Sequence, residues 1–152
     1  MVGISYTKGV VLCEPYQKIT GDKMAEIILN KLPGALERSI DPIGRRILQD
    51  GCPRQNSKTA RKAFQNNEAL IFKIPPRSPD LNPIENFFNL VTRELRKQVL
   101  DNNIESETKD EFRQRVQSTM LNFDIGKIDK IIKSMDRRIK MVIKAGGCRI
   151  KY

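Results

Sequence analysis

The stretch from Arg46 to Pro76 constrains the fold more than any other part of the chain. A short apolar run, Arg46 to Gln49, ends in Asp50-Gly51. Residues 57–66 then read as a helix, with Ser57 as N-cap and Ala60, Ala63 and Phe64 on one small apolar face. Leu70 to Ile74 is the clearest strand of the sequence. Pro75-Pro76 stops it, because proline has no N–H to donate to a ladder. Strand, helix and strand in that order make a crossover, and a right-handed crossover of this kind pairs its strands in parallel. Whatever leaves the carboxyl ends of the two strands is then brought to the same edge.

The rest of the chain fits around this unit. Val2, Ile4 and Tyr6 alternate with small or polar residues, Thr7-Lys8-Gly9 is turn material, and Val10 to Cys13 is a second apolar run, which together predict a β-hairpin. A helix is expected over residues 22–32. Met24, Ile27, Ile28 and Leu32 share its inner face, and Pro33-Gly34 is its stop. Three helices follow Pro76. The first carries Ile84, Phe87, Phe88, Val91 and Leu95 at helical spacing. The second, over 106–122, starts at Ser106 and is expected to bury Phe112, Val116 and Met120. The third, over 126–145, is expected to bury Ile128, Ile131, Ile132, Met135, Ile139, Val142 and Ile143, with Gly146-Gly147 ending it. Strands and helices interleave and then give way to a helical end, which is the pattern of one α/β domain.

Composition narrows the chemistry. The chain has 152 residues, 39% hydrophobic and 30% charged, enough for one domain with a real core. No apolar run approaches the roughly 20 residues of a membrane span, and the first residues lack the pattern of a signal peptide, so an intracellular protein with no membrane partner is expected. Its three cysteines, Cys13, Cys52 and Cys148, are too few and scattered for a disulfide framework or a zinc site. There is no histidine, which excludes a histidine base. Any metal must sit on oxygen ligands, which favours Mg2+ or Mn2+. A net charge of +10 suits a polyanion, and nucleic acid is the commonest one.

Two carboxylates stand out, and each has an ordinary structural role open to it. Asp50 followed by glycine is common turn chemistry. Asn82-Pro83-Ile84-Glu85 reads as a helix start in which Glu85 reaches back to the N-cap amide, a capping box worth about 1 kcal/mol. The pair carries a second reading. Asp50 sits at the carboxyl end of a strand, where open α/β sheets place ligands, and Glu85 follows the next strand and its proline-rich loop. Carboxylates gathered at that end can hold divalent metals, and paired metals stabilise the attacking and leaving oxygens of phosphoryl transfer.

The strings QDGCP at 49–53 and PPRSPDLNPIENFFNLVTREL at 75–95 resemble the catalytic domain of mariner-type DNA transposases of the DDE superfamily. The SPDLNPIEN string is the most specific part, and the likeness runs from the N-terminal hairpin to the tail. Gly51, Cys52 and Arg54-Gln55 depart from the family pattern but leave the two acidic positions intact. The resemblance implies an RNase H-like mixed sheet with flanking helices, and one DDE catalytic domain over 1–152. It implies metal-dependent DNA cleavage and strand transfer in the nucleus. Asp50 and Glu85 would be two of three catalytic metal ligands, on Mg2+ or Mn2+. The family's first aspartate lies on a central strand preceding the hairpin, so the chain is expected to be N-terminally truncated, without that strand and without helix-turn-helix DNA-binding modules.

Three expectations follow. The gap left by that strand either closes by direct pairing or stays open with a poorly anchored hairpin, unless a preceding segment or a second copy in a homodimer supplies the strand. The chain is an incomplete nuclease, an active one with a substitute carboxylate such as Glu14 or Asp22, or a non-enzymatic module that binds nucleic acid or protein. Lys130, Lys133, Arg137, Lys140 and Lys144 form a basic stripe on the last helix, and Arg77 precedes the SPDLN turn. Both suit sequence-independent phosphate contact, and both also read as ordinary solvated charge.

Overall fold

A computed structural model describes residues 1–148 and 150. Strands β1 (Val2–Ser5) and β2 (Gly9–Cys13) form the expected antiparallel hairpin. Helix α1 (Gly21–Glu37) follows, then β3 (Arg46–Gln49), α2 (Lys58–Asn66) and β4 (Leu70–Lys73). A 3₁₀ turn at Pro79–Leu81 leads into α3 (Pro83–Asp101), and α4 (Lys109–Leu121) and α5 (Ile125–Lys144) complete the order. No helix among the described residues is long and apolar enough to cross a membrane.

The crossover is as its pattern dictates. β3 and β4 pair in parallel, Arg46 opposite Leu70 and Gln49 opposite Lys73. The pairing continues past both ends: Leu70 N–H donates to the Arg45 carbonyl at 3.0 Å and Ile74 N–H to the Gln49 carbonyl at 2.9 Å. Ile47 and Ile71 turn inward onto a core of Met24, Ile28, Leu32, Leu36, Ala60, Ala63 and Phe64, built where α1 packs on α2. A second core joins Phe87 and Val91 of α3 to Ile128 and Ile131 of α5, and Val2, Ile4 and Val10 of the hairpin pack against it.

Four local expectations are corrected. α1 runs through Pro33-Gly34 instead of stopping there. Pro33 lies on the exposed face, where the carbonyl it leaves unpaired meets water, and the added turn buries Ala35 and Leu36. α4 starts later than Ser106: Thr108 and Glu111 form a reciprocal capping box. Phe112, Val116 and Met120 of α4 are not buried, and Phe112 is 45% exposed. On α5 the apolar stripe outruns its partner, leaving Ile139 and Ile143 exposed.

The strands form two separate pairs, β1–β2 and β3–β4, and the gap between β1 and β3 stays open. The hairpin is nonetheless well anchored, which corrects the expectation attached to an open gap. Thr7 N–H donates to Asp129 Oδ1 at 2.7 Å, Lys133 Nζ lies 5.3 Å from the centre of the Tyr6 ring, and Arg38 donates to the Val11 carbonyl at 2.9 Å. Helices α1, α4 and α5 therefore hold the hairpin in place of a neighbouring strand.

Phe87 is fully buried, and its ring meets that of Phe123 edge-on at 5.3 Å. Phe87→Ala is expected to cost about 3–5 kcal/mol, read as a lower denaturant midpoint at unchanged slope.

Candidate functional site

A cavity of about 710 Å3 occupies the gap between the two strand pairs. β1 and β3 form its sides, α1 lies over one face, and the start of α3 and the inner face of α4 lie under the other. Asp50 and Glu85 both line it. The parallel pairing is the cause. Asp50 ends β3, and the chain leaving β4 at the same end turns through Pro75-Pro76 and the 3₁₀ turn to start α3 two residues before Glu85.

The two side chains differ in how far structure already uses them. Asp50 Oδ1 accepts the Cys52 N–H at 3.0 Å, an Asx turn that orients the carboxylate and leaves its other oxygen available. Glu85 forms no capping box. Asn82 N–H donates to the Pro79 carbonyl at 3.1 Å, so the amide that Glu85 would have reached is taken. Asn82 caps α3 with its own side chain, Oδ1 accepting the Ile84 N–H at 3.4 Å. Glu85 is exposed, and its carboxylate has no hydrogen-bond or ion-pair partner among the described residues.

The turn that carries Glu85 is held by a residue outside the expected site. Arg138 of α5 is 5% exposed, and its Nη1 donates to the Asp80 carbonyl at 3.3 Å and to Asn86 Oδ1 at 2.6 Å. Asp80 is buried as well, and its Oδ2 accepts the Ile150 N–H at 3.3 Å. Arg138 thus clamps the residues on both sides of the α3 start. A signal for it existed in the sequence: an arginine on the apolar face between Met135 and Val142 is a buried charge, and buried charges are paired.

The five expected cations of α5 share one continuous helix and are all exposed. Arg77 is exposed on the loop after β4, with φ of 60°, and does not line the cavity. On α5, Lys133 sits over Tyr6, and Lys140 pairs with Asp136 at 2.8 Å on the exposed surface. Lys130, Arg137 and Lys144 are exposed. The cations that do line the cavity are Arg46, Arg54 and Arg113, none of which belongs to the stripe. Arg46 bonds Asp41 at 2.7 Å; that bond and the Gly44 N–H hold the Asp41 carboxyl below its usual range.

As a metal site, the donors fit a hard divalent cation in kind. They are carboxylate oxygens beside a cavity open to water. Cys13 also lines the cavity, but burial pushes its thiol up, away from the thiolate a soft metal would need. In number the donors fall short: among the described residues no three of the metal-ligating side chains come together.

Residues 1–107 match the family described as DDE superfamily endonuclease. Two curated relatives are nematode proteins. The Tcb2 transposase of Caenorhabditis briggsae is 31% identical over 104 residues, and the Tc1 transposase of Caenorhabditis elegans is 32% identical over 104 residues. In each case the match takes in 68% of this chain and 36% of the relative, so the chain spans little more than a third of the curated proteins it resembles. Among solved structures, the catalytic domain of Mos1 mariner transposase superposes with a TM-score of 0.76 at 14% identity, over 95% of this chain and 72% of that one. The Mos1 transposase paired-end complex with left transposon end gives 0.71 at 16% identity, over 95% and 42%. The fold is therefore RNase H-like, as the SPDLNPIEN resemblance implied.

Arg138→Leu keeps the bulk of the side chain and removes its donors, leaving the Asp80 carbonyl and Asn86 with a lost partner in a buried place. The expected cost is about 1–3 kcal/mol by chemical denaturation, with faster amide exchange at Ile84 to Asn86.

Proposed function

The chain belongs to the DDE superfamily endonucleases and is homologous to the Tc1/mariner transposases, and on that premise we propose that Asp50 and Glu85 are two carboxylates of a divalent-metal site for cleaving DNA phosphodiesters. The observation that carries this reading is their placement. Separated in sequence by a loop, a helix, a strand and a turn, they line one cavity, and Glu85 has no structural task there.

Mg2+ or Mn2+ held by Asp50 and Glu85 would supply charge neutralisation on the phosphate and a more acidic bound water. The chain's own contribution is placement. The Cys52 amide fixes one oxygen of Asp50, and Arg138 and Asn82 set the first turn of α3 and with it Glu85. Arg54 and Arg113 on the cavity wall are better placed than Arg77 to meet phosphate at the site. The exposed Lys130, Arg137 and Lys144 serve sequence-independent contact along the backbone of DNA.

Two carboxylates make a weak metal site and an incomplete catalyst. The chain on its own is proposed to bind DNA and leave it uncut. A second reading is a module that binds nucleic acid or protein without catalysis. Metal titration separates the two.

Mn2+ binding followed by electron paramagnetic resonance is expected to be weak and to fall in both Asp50→Asn and Glu85→Gln. Affinity unchanged in both variants would remove the metal assignment and leave the binding module. Supercoiled plasmid with Mg2+ or Mn2+ is expected to stay intact; nicking that vanishes in both variants would overturn the incompleteness. DNA affinity is expected to fall about tenfold to a hundredfold between 50 and 200 mM salt with no preference among sequences, as about three phosphate contacts would give. A preference that survives high salt would argue against purely electrostatic binding.

A further inference from the structure

The loop between β2 and α1 lies over the sheet end that carries Asp50. Ile40 N–H donates to Ser5 Oγ at 3.0 Å and Asp41 bonds Arg46 at 2.7 Å, so the end of β1 stands beside the start of β3. β1 therefore runs against β3. β2 runs against β1, which brings its last residue, Cys13, to the end where β3 gives way to Asp50. The other end of the loop agrees. Gly21 opens α1 so close to Ser57 that a Cβ on it would stand 2.7 Å from Ser57 Oγ, and Ser57 closes the loop that Asp50 begins. Both anchors of residues 14–20 are bonded: Glu14 N–H donates to the Met1 carbonyl at 2.8 Å, and Thr20 Oγ1 accepts the Lys23 N–H at 3.1 Å.

One aromatic side chain on this loop is left over. Ile19 turns inward and packs on the α1–α2 core, while Tyr16 is 47% exposed. Tyr16 lines the cavity with Asp50 and Glu85, as do Phe64, Phe88 and Phe112. Phe64 is buried, Phe88 holds its ring 6.0 Å from that of Phe87, and Phe112 lies under Arg115 at 5.5 Å. Tyr16 has no hydrogen-bond, ring or cation partner among the described residues. A tyrosine that serves the fold packs its ring or bonds its hydroxyl, and this one does neither. Pro15 before it has a fixed φ, and a tyrosine has only two side-chain torsions to order, so the ring is offered at small entropic cost.

We propose that Tyr16 is a stacking platform for one unpaired DNA base, held at the sheet end where Asp50 and Glu85 line the cavity. This rests on DNA being the ligand of that end, and not on either carboxylate holding a metal. Inside a duplex both faces of a base are covered by its neighbours, so an open ring can stack only on a base that is terminal or out of the helix. Such a base is presented wherever a duplex ends in a single-stranded tail. Every base has a π-face, so the contact selects unpaired bases without selecting sequence. Lys18 on the same loop and Arg54 after Asp50 are both exposed and can meet the phosphates of the same tail.

The test uses the whole chain and two labelled duplexes of equal charge, with binding followed by fluorescence anisotropy. One duplex ends in a short single-stranded tail; in the other the tail is abasic sugar-phosphate. The wild-type chain is expected to bind the tail with bases about tenfold more tightly. Tyr16→Leu should erase that preference and leave affinity for the abasic duplex unchanged. The slope of affinity against salt should stay the same, since stacking releases no counterions. Tyr16→Phe should keep the preference. Both variants alter an exposed side chain and are expected to keep the wild-type denaturant midpoint. Equal binding of the two duplexes by the wild-type chain would overturn the proposal, as would a preference that survives Tyr16→Leu or a loss of equal size on both duplexes. A loss in Tyr16→Phe as large as in Tyr16→Leu would assign the contact to the hydroxyl and overturn the stacking. Each of these outcomes leaves DNA binding standing; a chain that binds neither duplex would sink the DNA reading as well.

Discussion

The parallel pairing of β3 with β4 is the contact on which the site depends. It is sealed at both ends, by Leu70 onto Arg45 and Ile74 onto Gln49, so the strands have no freedom to slide. A slip of one residue would turn Ile47 and Ile71 out of the core and expose them, a loss the α1–α2 core does not allow. Since the register is fixed and the strands run the same way, Asp50 and the chain leaving Ile74 must emerge side by side. The diproline then prevents β4 from continuing, and the next helix starts on the wall of the cavity that Asp50 also lines.

How Glu85 comes to face the cavity uncommitted is a question of donors. Thr108 and Glu111 show that this chain makes a capping box when the N-cap amide is available. At α3 the same spacing fails to produce one, because the 3₁₀ turn before it has already used the Asn82 amide. The stability a box would have contributed comes instead from Arg138 and from the buried Asp80, which draw α5 and Ile150 onto the turn. Two buried polar side chains on distant parts of the chain thus hold a helix start whose own acidic residue is left to solvent and ligand.

The gap between β1 and β3 has a comparable logic. An edge strand in a stable domain is normally covered, charged or shortened. Here β1 and β3 turn bare edges toward each other across an apolar space, and the helices above and below carry side chains patterned for burial. The hairpin survives this because α1, α4 and α5 hold it from the other sides, with Thr7 tied to Asp129 and Tyr6 under Lys133. Local pattern and global structure disagree at Phe112, Val116 and Met120, and the disagreement falls on the wall of that gap.

Sequence alone determined the order of the elements, the crossover and the sheet end from which Asp50 and the chain leading to Glu85 depart, because strand alternation, helical spacing and proline stops act over a few residues and do not depend on distant partners. It also carried the SPDLNPIEN string, which pointed to the right family. Only the tertiary structure decided that α1 passes through Pro33, since burial of Ala35 and Leu36 outweighs a lost hydrogen bond on a wet face. Only it revealed Arg138, whose partners lie far away in the chain, and showed Arg46, Arg54 and Arg113, all outside the α5 stripe, on the cavity wall. It also left the two strand pairs apart. Whether a strand edge is filled depends on which segments reach it in space, and no local run of residues encodes that.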